Sequence, residues 1–389
     1  MVGKAVSKAD LTPMKRVCFV TTSPLIVNFF LVPHLLHLSQ RYEVTLAVNV
    51  EEGAPLLPLP GVEVVSLPIR RRSSPLADFQ ALARLISLFS SRRFHLVHSF
   101  SPKAGLLTMV AGRICGVPRR IHTFTGQVWA TMRGPRRFLV KAADRCTAKC
   151  ATHILTDSRS QCEFLVAQRV VARERCRVLG EGSVTGVDTH RFQGNPDTRA
   201  AVRAELNIPK EAVVVLFLGR LKRDKGVLEL SRAFASLASK QDLAHLLLVG
   251  PDEDALMPRI TEQCSQHRDH VHALGYTFAP ERYVAASDIL ALPSHREGFG
   301  SVIIEAAAAG VPAVASRIYG ITDAVADGET GLLHKPGDWK DLAKQLNRLL
   351  ADSDLRKQLG SRAQGRALRE FRQEHLVQLL AEFYNEILA

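Results

Sequence analysis

Residues 288–312 read DILALPSHREGFGSVIIEAAAAGVP. An apolar run, DILALPS, gives way to a polar turn, and then to VIIEAAAA, whose helical composition stops at Gly310 and Pro312. Strand, loop and helix in this order form the repeating unit of a parallel sheet with helical crossovers. In the turn, Gly298 and Gly300 let the backbone approach a ligand closely, and Ser301 is a candidate N-cap. The helix start carries unpaired N–H groups, which makes it a ready anion site. Glu297 stands just before it and Glu305 one turn inside. Carboxylates bind phosphate poorly and accept well from sugar hydroxyls, so the pair suggests a phosphate seat flanked by hydroxyl-binding groups. Taken singly, each glutamate equally fits a solvent-facing position.

The same alternation runs along the whole chain. KRVCFVTT, YEVTLAVN, VEVVSLP, FHLVHSF, RRIHTFT, ATHILTDS and RCRVLGEGS have strand character in the first half. VVVLFLGR, AHLLLVGP, HVHALGY, DILALPS, PAVAS and GLLH follow in the second, with helical segments between. The pattern predicts an α/β fold of two doubly wound Rossmann-like domains facing across a cleft, with ligands beyond the carboxyl ends of the strands. The expected division is 1–190 as the first domain, with 1–14 a flexible extension, 191–211 as a polar linker, and 212–370 as the second domain. A C-terminal helix over 371–389 is expected to pack back toward the first domain.

The 389 residues carry a formal net charge of +13. Residues 1–190 hold 26 Lys/Arg against 12 Asp/Glu, whereas 191–389 hold 25 against 26. The whole excess therefore lies in the first half, which points to an anionic partner there: a membrane surface, a phosphorylated substrate or nucleic acid. No apolar run of about 18 residues is present, so no spanning helix is expected. The seven cysteines are scattered without a CxxC pair, which argues against a disulfide scaffold or structural zinc and fits a reducing compartment.

The loop after VVVLFL reads GRLKRDKG, residues 219–226. Gly219 frees the backbone at the strand end, and Arg220 and Lys225 project cations from it. Arginine offers phosphate a bidentate fork and lysine a point charge. At an effective dielectric near 20, one such pair at ~4 Å is worth roughly 4 kcal/mol. Two cations on one diphosphate would supply the neutralisation often given to Mg²⁺; by spacing alone Arg220, Lys222, Arg223 and Lys225 fit a solvated loop equally. The acidic run at 252–254 follows Pro251 and reads as a solvated loop, so no obligatory metal is expected.

G-R-x4-K-G followed by E-G-F-G-x4-E resembles the retaining glycosyltransferases of family 4, which have the GT-B fold. GVDTHRF, ASDILALPSHREGFG and GITDAVADGETGLL support the likeness, which spans the chain from Lys15 onward. HSFSPKAGLL and HTFTGQVWAT resemble bacterial surface-polysaccharide enzymes of the O-antigen and capsule type, which act on lipid-linked acceptors. The resemblance implies catalytic roles for Arg220, Lys225 and Glu297, with Arg220 and Lys225 gripping the donor diphosphate. It implies that Glu297 binds donor-sugar hydroxyls and Glu305 the ribose, while Gly219, Gly298, Phe299 and Gly300 line the donor and Tyr276 borders the base. The donor would be a nucleotide-diphosphate sugar, a UDP-sugar first. The acceptor would be a polyprenyl-diphosphate-linked saccharide, used with retention of anomeric configuration.

The first half departs from the family pattern. TTSPLIVNFF replaces the usual glycine pair with Ser23, Pro24 and Asn28. Thr125-Gly126 stands where relatives carry a histidine, and His122 lies three residues earlier as an ordinary strand residue. Ser23, Asn28, His98, Ser99, Lys103 and Thr125 are the acceptor-side candidates. On a helical projection of RGPRRFLVKAADRCTAKC, Arg137, Lys141, Arg145 and Lys149 form one basic stripe. Basic residues near an anionic leaflet gain about 1 kcal/mol each. With Arg70, Arg71, Arg72, Arg92, Arg93, Arg133 and Arg136, the stripe suggests peripheral attachment to the inner face of the bacterial cytoplasmic membrane. A GT-B phosphorylase or epimerase fits the Arg-Lys and Glu-Glu pattern less well. Nucleic-acid binding by the basic half lacks a helix-turn-helix, zinc or RNP-like signature, so no nucleic acid is expected.

Overall fold

The computed structural model describes residues 14–51, 55–70, 74–238 and 243–389. Arg71, Arg72 and the expected N-terminal extension to residue 13 lie outside the described residues. Two parallel sheets form the frame. The first comprises β1 (Arg16–Val20), β2 (Glu43–Val48), β3 (Val62–Ser66), β4 (Leu96–Phe100), β5 (Arg119–Phe124), β6 (His153–Thr156) and β7 (Cys176–Val178), in the order β3-β2-β1-β4-β5-β6-β7. The second comprises β8 (Val213–Leu218), β9 (Ala244–Val249), β10 (Val271–Leu274), β11 (Ile289–Leu292), β12 (Ala313–Ser316) and β13 (Gly331–His334), ordered β10-β9-β8-β11-β12-β13. All thirteen correspond to the apolar runs named above. The central strands β4, β9 and β11 are buried at every residue, which is why they appear in sequence as unbroken apolar segments.

Each sheet reverses its strand order once, between β1 and β4 and between β8 and β11. Such a reversal sends neighbouring crossovers to opposite faces and opens a crevice at the carboxyl edge. In the second sheet that crevice is bordered by the loop after β8, which is GRLKRDKG, and the loop after β11, which is SHREGFG. The topology thus brings together two motifs that stand about 70 residues apart in sequence.

The chain divides into two compact units. One holds the residues up to His122 together with Lys149–His153 and Ala381–Ala389; the other holds Thr123–Ala148 and Ile154–Leu380. In the first unit the chain end closes the core. Tyr384 is fully buried, its hydroxyl 2.7 Å from His98 Nδ1, and Tyr42 donates to Asn385 at 2.8 Å. Arg119 Nε also donates to the Ile387 carbonyl at 2.6 Å.

In the second unit the 191–211 stretch contains the helix Pro196–Glu205, capped by the Asn195 side chain on the Thr198 amide. Its Arg199 and Arg203 both grip Asp288 at 2.6 Å, and Arg203 is buried. The helical tail is two helices, Ser353–Glu370 and Gln373–Leu388. They break because Val187 inserts a parallel bridge opposite Arg372, bonding Phe371 and Gln373. Among the cysteines, Cys162 and Cys176 are paired sulfur to sulfur between the helix Arg159–Ala167 and β7.

Candidate functional site

β8 delivers the chain to Gly219, whose φ of 152° is a conformation that glycine adopts without strain. A side chain on Gly250, the glycine ending β9, would run into the Gly219 carbonyl, so the two strand ends approach as bare backbone. Beyond Gly219 the cations fan out. Arg220 Nη1 lies 2.9 Å from Glu253 Oε2, and Lys222 Nζ lies 3.2 Å from Asp254 and 3.6 Å from Glu253. The Arg223 amide donates to Asp254 at 3.0 Å, holding that carboxyl below the usual carboxylate range. The 252–254 run, in which Asp252 and Glu253 are exposed, supplies counter-charges to the basic loop.

Lys225 Nζ lies 2.5 Å from Glu297 Oε1, which also accepts from Ser294 Oγ at 2.8 Å. Arg296 pairs with Asp224 at 2.9 Å, and the His295 amide donates to the Asp224 carbonyl. His295 Nε2 stands 3.2 Å from Glu229, which raises the imidazole pKa. Gly226 closes the loop with φ 69°, where a side chain would enter the Pro293 carbonyl. The two loops are thus laced together by side chains and by one close backbone approach.

The EGFG turn is enclosed on several sides within this unit. A Cβ on Gly298 would strike the Asp157 carboxylate and come 2.8 Å from the Thr125 carbonyl carbon. Ser158 Oγ donates to the Gly298 carbonyl at 3.1 Å, and Gly126 packs against the Gly298 amide. A side chain on Gly320 would meet the Gly298 carbonyl. Gly300, at φ 80°, takes the N-cap position of the helix Ser301–Ala308. This corrects the expectation for Ser301: the left-handed turn requires the glycine there, so Ser301 becomes the first helical residue. Phe299 turns its ring into the core, 5.3 Å from Phe371, and leaves only backbone for a ligand.

Glu305 lies on that helix with its carboxyl pushed up to about 7 by burial, the charge of Arg191 opposing and that of Glu281 adding. Arg191, from GVDTHRF, bonds Glu281 at 2.9 Å and the Phe278 carbonyl at 2.7 Å. Tyr276 is 42% exposed and meets Phe278 edge-on at 4.9 Å. Asp157, at the carboxyl end of β6, is buried, and burial with the nearby charge of Glu297 holds it well above the usual carboxylate range. Arg191 and Asp157 are not singled out by the sequence, and Glu253 appears there only within the acidic run 252–254. Each follows a strand or sits in a family-like motif, which is the signal that was available.

The structure brings Gly219, Arg220, Lys225, Glu297, Gly298, Phe299, Gly300, Glu305, Tyr276 and Thr125 into the second unit. Ser23, Asn28, His98, Ser99 and Lys103 belong to the first. His98 and Ser99 are buried in the first unit. His98 is 1% exposed, its ring 4.3 Å from Phe100 and bonded to Tyr384; Ser99 Oγ lies 2.9 Å from His122 Nδ1. Both lie on β4, which is buried at every residue. His122 is likewise buried, its imidazole pushed down to about 3. Ser23 caps a short helix through the Leu25 amide, Asn28 bonds Pro55 and Leu57, and Lys103 pairs with Asp78 at 2.8 Å. Thr125 is exposed.

The basic stripe lies on the helix Gly134–Cys150. Lys141 and Arg137 bond Gln168 at 2.8 and 3.3 Å and lie over the Trp129 ring, and Arg145 bonds the Arg169 carbonyl. Three of its four cations are therefore engaged by the protein itself, which corrects the view of a stripe wholly open to lipid. Lys149, Arg133 and Arg136 are exposed, as are Phe138 (67%) and Leu139 (66%). Among the described residues no helix is long and apolar enough to cross a membrane, and no group of three or more acidic, His or Cys side chains is placed to hold a metal ion.

Residues 198–366 match the family Glycosyl transferases group 1, and residues 36–182 match the Glycosyl transferase 4-like domain. The chain is 29% identical over 330 residues to the capsular polysaccharide biosynthesis glycosyltransferase CapM of Staphylococcus aureus, covering 83% of this chain and 84% of that protein. It is 30% identical over 359 residues to the D-inositol 3-phosphate glycosyltransferase of Acidothermus cellulolyticus, covering 88% and 76% respectively. Among solved structures, Anabaena Alr3699/HepE in complex with UDP and glucose superposes with a TM-score of 0.79 at 20% identity, over 95% of this chain and 99% of that one.

Proposed function

Because the chain belongs to the group 1 glycosyltransferases, with a 4-like glycosyltransferase domain in its first half and the GT-B fold, we propose the following reaction. It moves a sugar from a UDP-sugar to an acceptor hydroxyl with retention of configuration. The acceptor is a polyprenyl-diphosphate-linked saccharide in the synthesis of a surface polysaccharide, of capsule or lipopolysaccharide O-antigen type. Residues 212–370 form the donor side and 1–190 the acceptor side, with Ser23, Asn28, Lys103 and Thr125 as acceptor-side contacts.

The observation that carries this proposal is the pairing of Lys225 with Glu297 at the strand-order reversal of the second sheet, with Arg220 on the same loop as Lys225. Breaking the bond to the donor sugar leaves a diphosphate with extra negative charge. Cations fixed beside that charge lower the barrier without reorganising during the reaction. Arg220 takes the diphosphate through its guanidinium fork, and Lys225 shares its proton-rich ammonium between the phosphate and Glu297. Glu297, fixed by Lys225 and Ser294, accepts from the sugar hydroxyls, while Glu305 accepts from the ribose. In a retaining route of internal return, the departing diphosphate oxygen takes the acceptor proton on the face it leaves, so no protein nucleophile is required. CapM supports the polysaccharide assignment and the UDP complex of HepE supports the nucleotide.

The enzyme is further proposed to work as a peripheral protein of the cytoplasmic face of the membrane. Arg133, Arg136 and Lys149 would meet anionic headgroups beside Phe138 and Leu139. The donor assignment is tested by thermal stabilisation with UDP, GDP, ADP and CMP in EDTA. A ligand at a hundred times its dissociation constant adds about 2.7 kcal/mol. Stabilisation by one nucleotide in the wild type and not in Arg220→Ala is expected; none by any nucleotide at millimolar concentration would overturn the donor assignment. NMR of the product anomer tests retention.

A further inference from the structure

We propose that Glu253 sets the affinity of the donor site: its carboxylate occupies Arg220 in place of a phosphate, so that small anions stay unbound at concentrations where the nucleotide diphosphate displaces it. This rests on the proposal that Arg220 binds the donor diphosphate.

The geometry of the 252–254 run supports a placed rather than accidental carboxylate. Asp252 accepts from the Leu256 amide at 2.8 Å and the Met257 amide at 3.0 Å, capping the turn that follows. Leu221 and Asp252 form a parallel bridge, and the Leu221 amide donates to the Pro251 carbonyl at 2.9 Å. Asp254 holds the Arg223 amide and Lys222. The outer two acids therefore lock this run to the basic loop through backbone on both sides. Glu253, between them, faces the Arg220 guanidinium at 2.9 Å and Lys222 Nζ at 3.6 Å.

The strength of the pair suits displacement. Arg220 and Glu253 are 34% and 32% exposed, so water screens the pair and its stabilisation is of the modest size usual for surface ion pairs. Free phosphate or pyrophosphate must displace a carboxylate of the same sign and has only the charge contacts of the phosphate seat to offset the exchange. A nucleotide diphosphate brings base and ribose contacts that offset the exchange. The built-in competitor at the anion seat lowers the affinity of every phosphate ligand alike, and at a given concentration leaves bound only those with further contacts.

The test is calorimetric titration of wild type, Glu253→Gln and Arg220→Ala with UDP, inorganic pyrophosphate and uridine, at fixed ionic strength. Glu253→Gln should bind pyrophosphate and UDP about tenfold more tightly and uridine unchanged. Uridine binding and the melting midpoint report that the variant is folded. If Arg220→Ala weakens UDP and pyrophosphate while Glu253→Gln leaves them unchanged or weakens them too, Glu253 merely orients Arg220 and the inference falls. If Arg220→Ala binds both as the wild type does, or the wild type binds neither, the donor assignment of Arg220 itself fails.

Discussion

Lys225 Nζ and Glu297 Oε1 stand 2.5 Å apart, joining the ends of two motifs that the strand order of the second sheet brings side by side. Both groups are largely buried, so each depends on the other for compensation. Lys225→Ala should lower turnover by about 10²–10³-fold, as removal of one preorganised stabilising group does. It should also release Glu297 from its fixed position. Steady-state kinetics with the cognate nucleotide sugar check this; an unchanged kcat would remove Lys225 from the chemistry.

Gly298→Ala tests the enclosure of the EGFG turn. Its Cβ has no room between the Asp157 carboxylate and the Thr125 backbone. Overpacking of this kind costs roughly 1–3 kcal/mol, so the melting temperature should fall and activity should drop more than stability does. A variant as active and as stable as the wild type would show that the turn is looser than described.

Glu305 makes stability depend on pH. Its carboxyl sits at about 7 in the folded chain, above the ordinary glutamate value, because burial disfavours the charge. The folded state thus holds a proton that the unfolded state releases between about pH 4.5 and 7. The contribution is fully present below that window and is lost as pH rises through about 7. Denaturant unfolding across pH 4.5–8 should show this decline, and Glu305→Gln should flatten it. If ribose hydroxyls bond the ionised form, UDP affinity should in turn rise through pH 7 in the wild type alone.

Membrane attachment should depend on the uncommitted part of the helix Gly134–Cys150. Removing Arg133, Arg136 and Lys149 should weaken binding to phosphatidylglycerol vesicles by roughly fivefold per charge, and Phe138→Ser with Leu139→Ser should weaken it further. Vesicle sedimentation of these variants beside Lys141→Ala separates the effects. A loss confined to Lys141→Ala would mean that the inner stripe is the lipid contact after all.

Much of the fold was legible because buried parallel strands leave unbroken apolar runs, and turn residues punctuate them. The donor-side motifs were legible because glycines at strand ends and cations after them are local signals. What sequence could not convey is cover supplied from far along the chain. His98 has the chemistry of a ligand, yet it lies within β4 and Tyr384 occupies it from 286 residues away. The helical stripe of cations is correct in projection, but Gln168 and Trp129 arrive from other segments to engage it. The run at 252–254 looked like solvent-facing acid because its partners, Arg220 to Arg223, precede it by a whole strand and helix.

The chain end that closes the first unit carries a consequence for synthesis. A ribosome finishes the residues up to His122 long before it reaches Tyr384, an interval on the order of tens of seconds. Until then Phe19 and His98 lack the ring that covers them. The nascent first unit must therefore wait with an incomplete interior, while the second can assemble most of its own as it emerges. Apolar surface left open during that wait is the cost of covering an early-made unit with a helix made late.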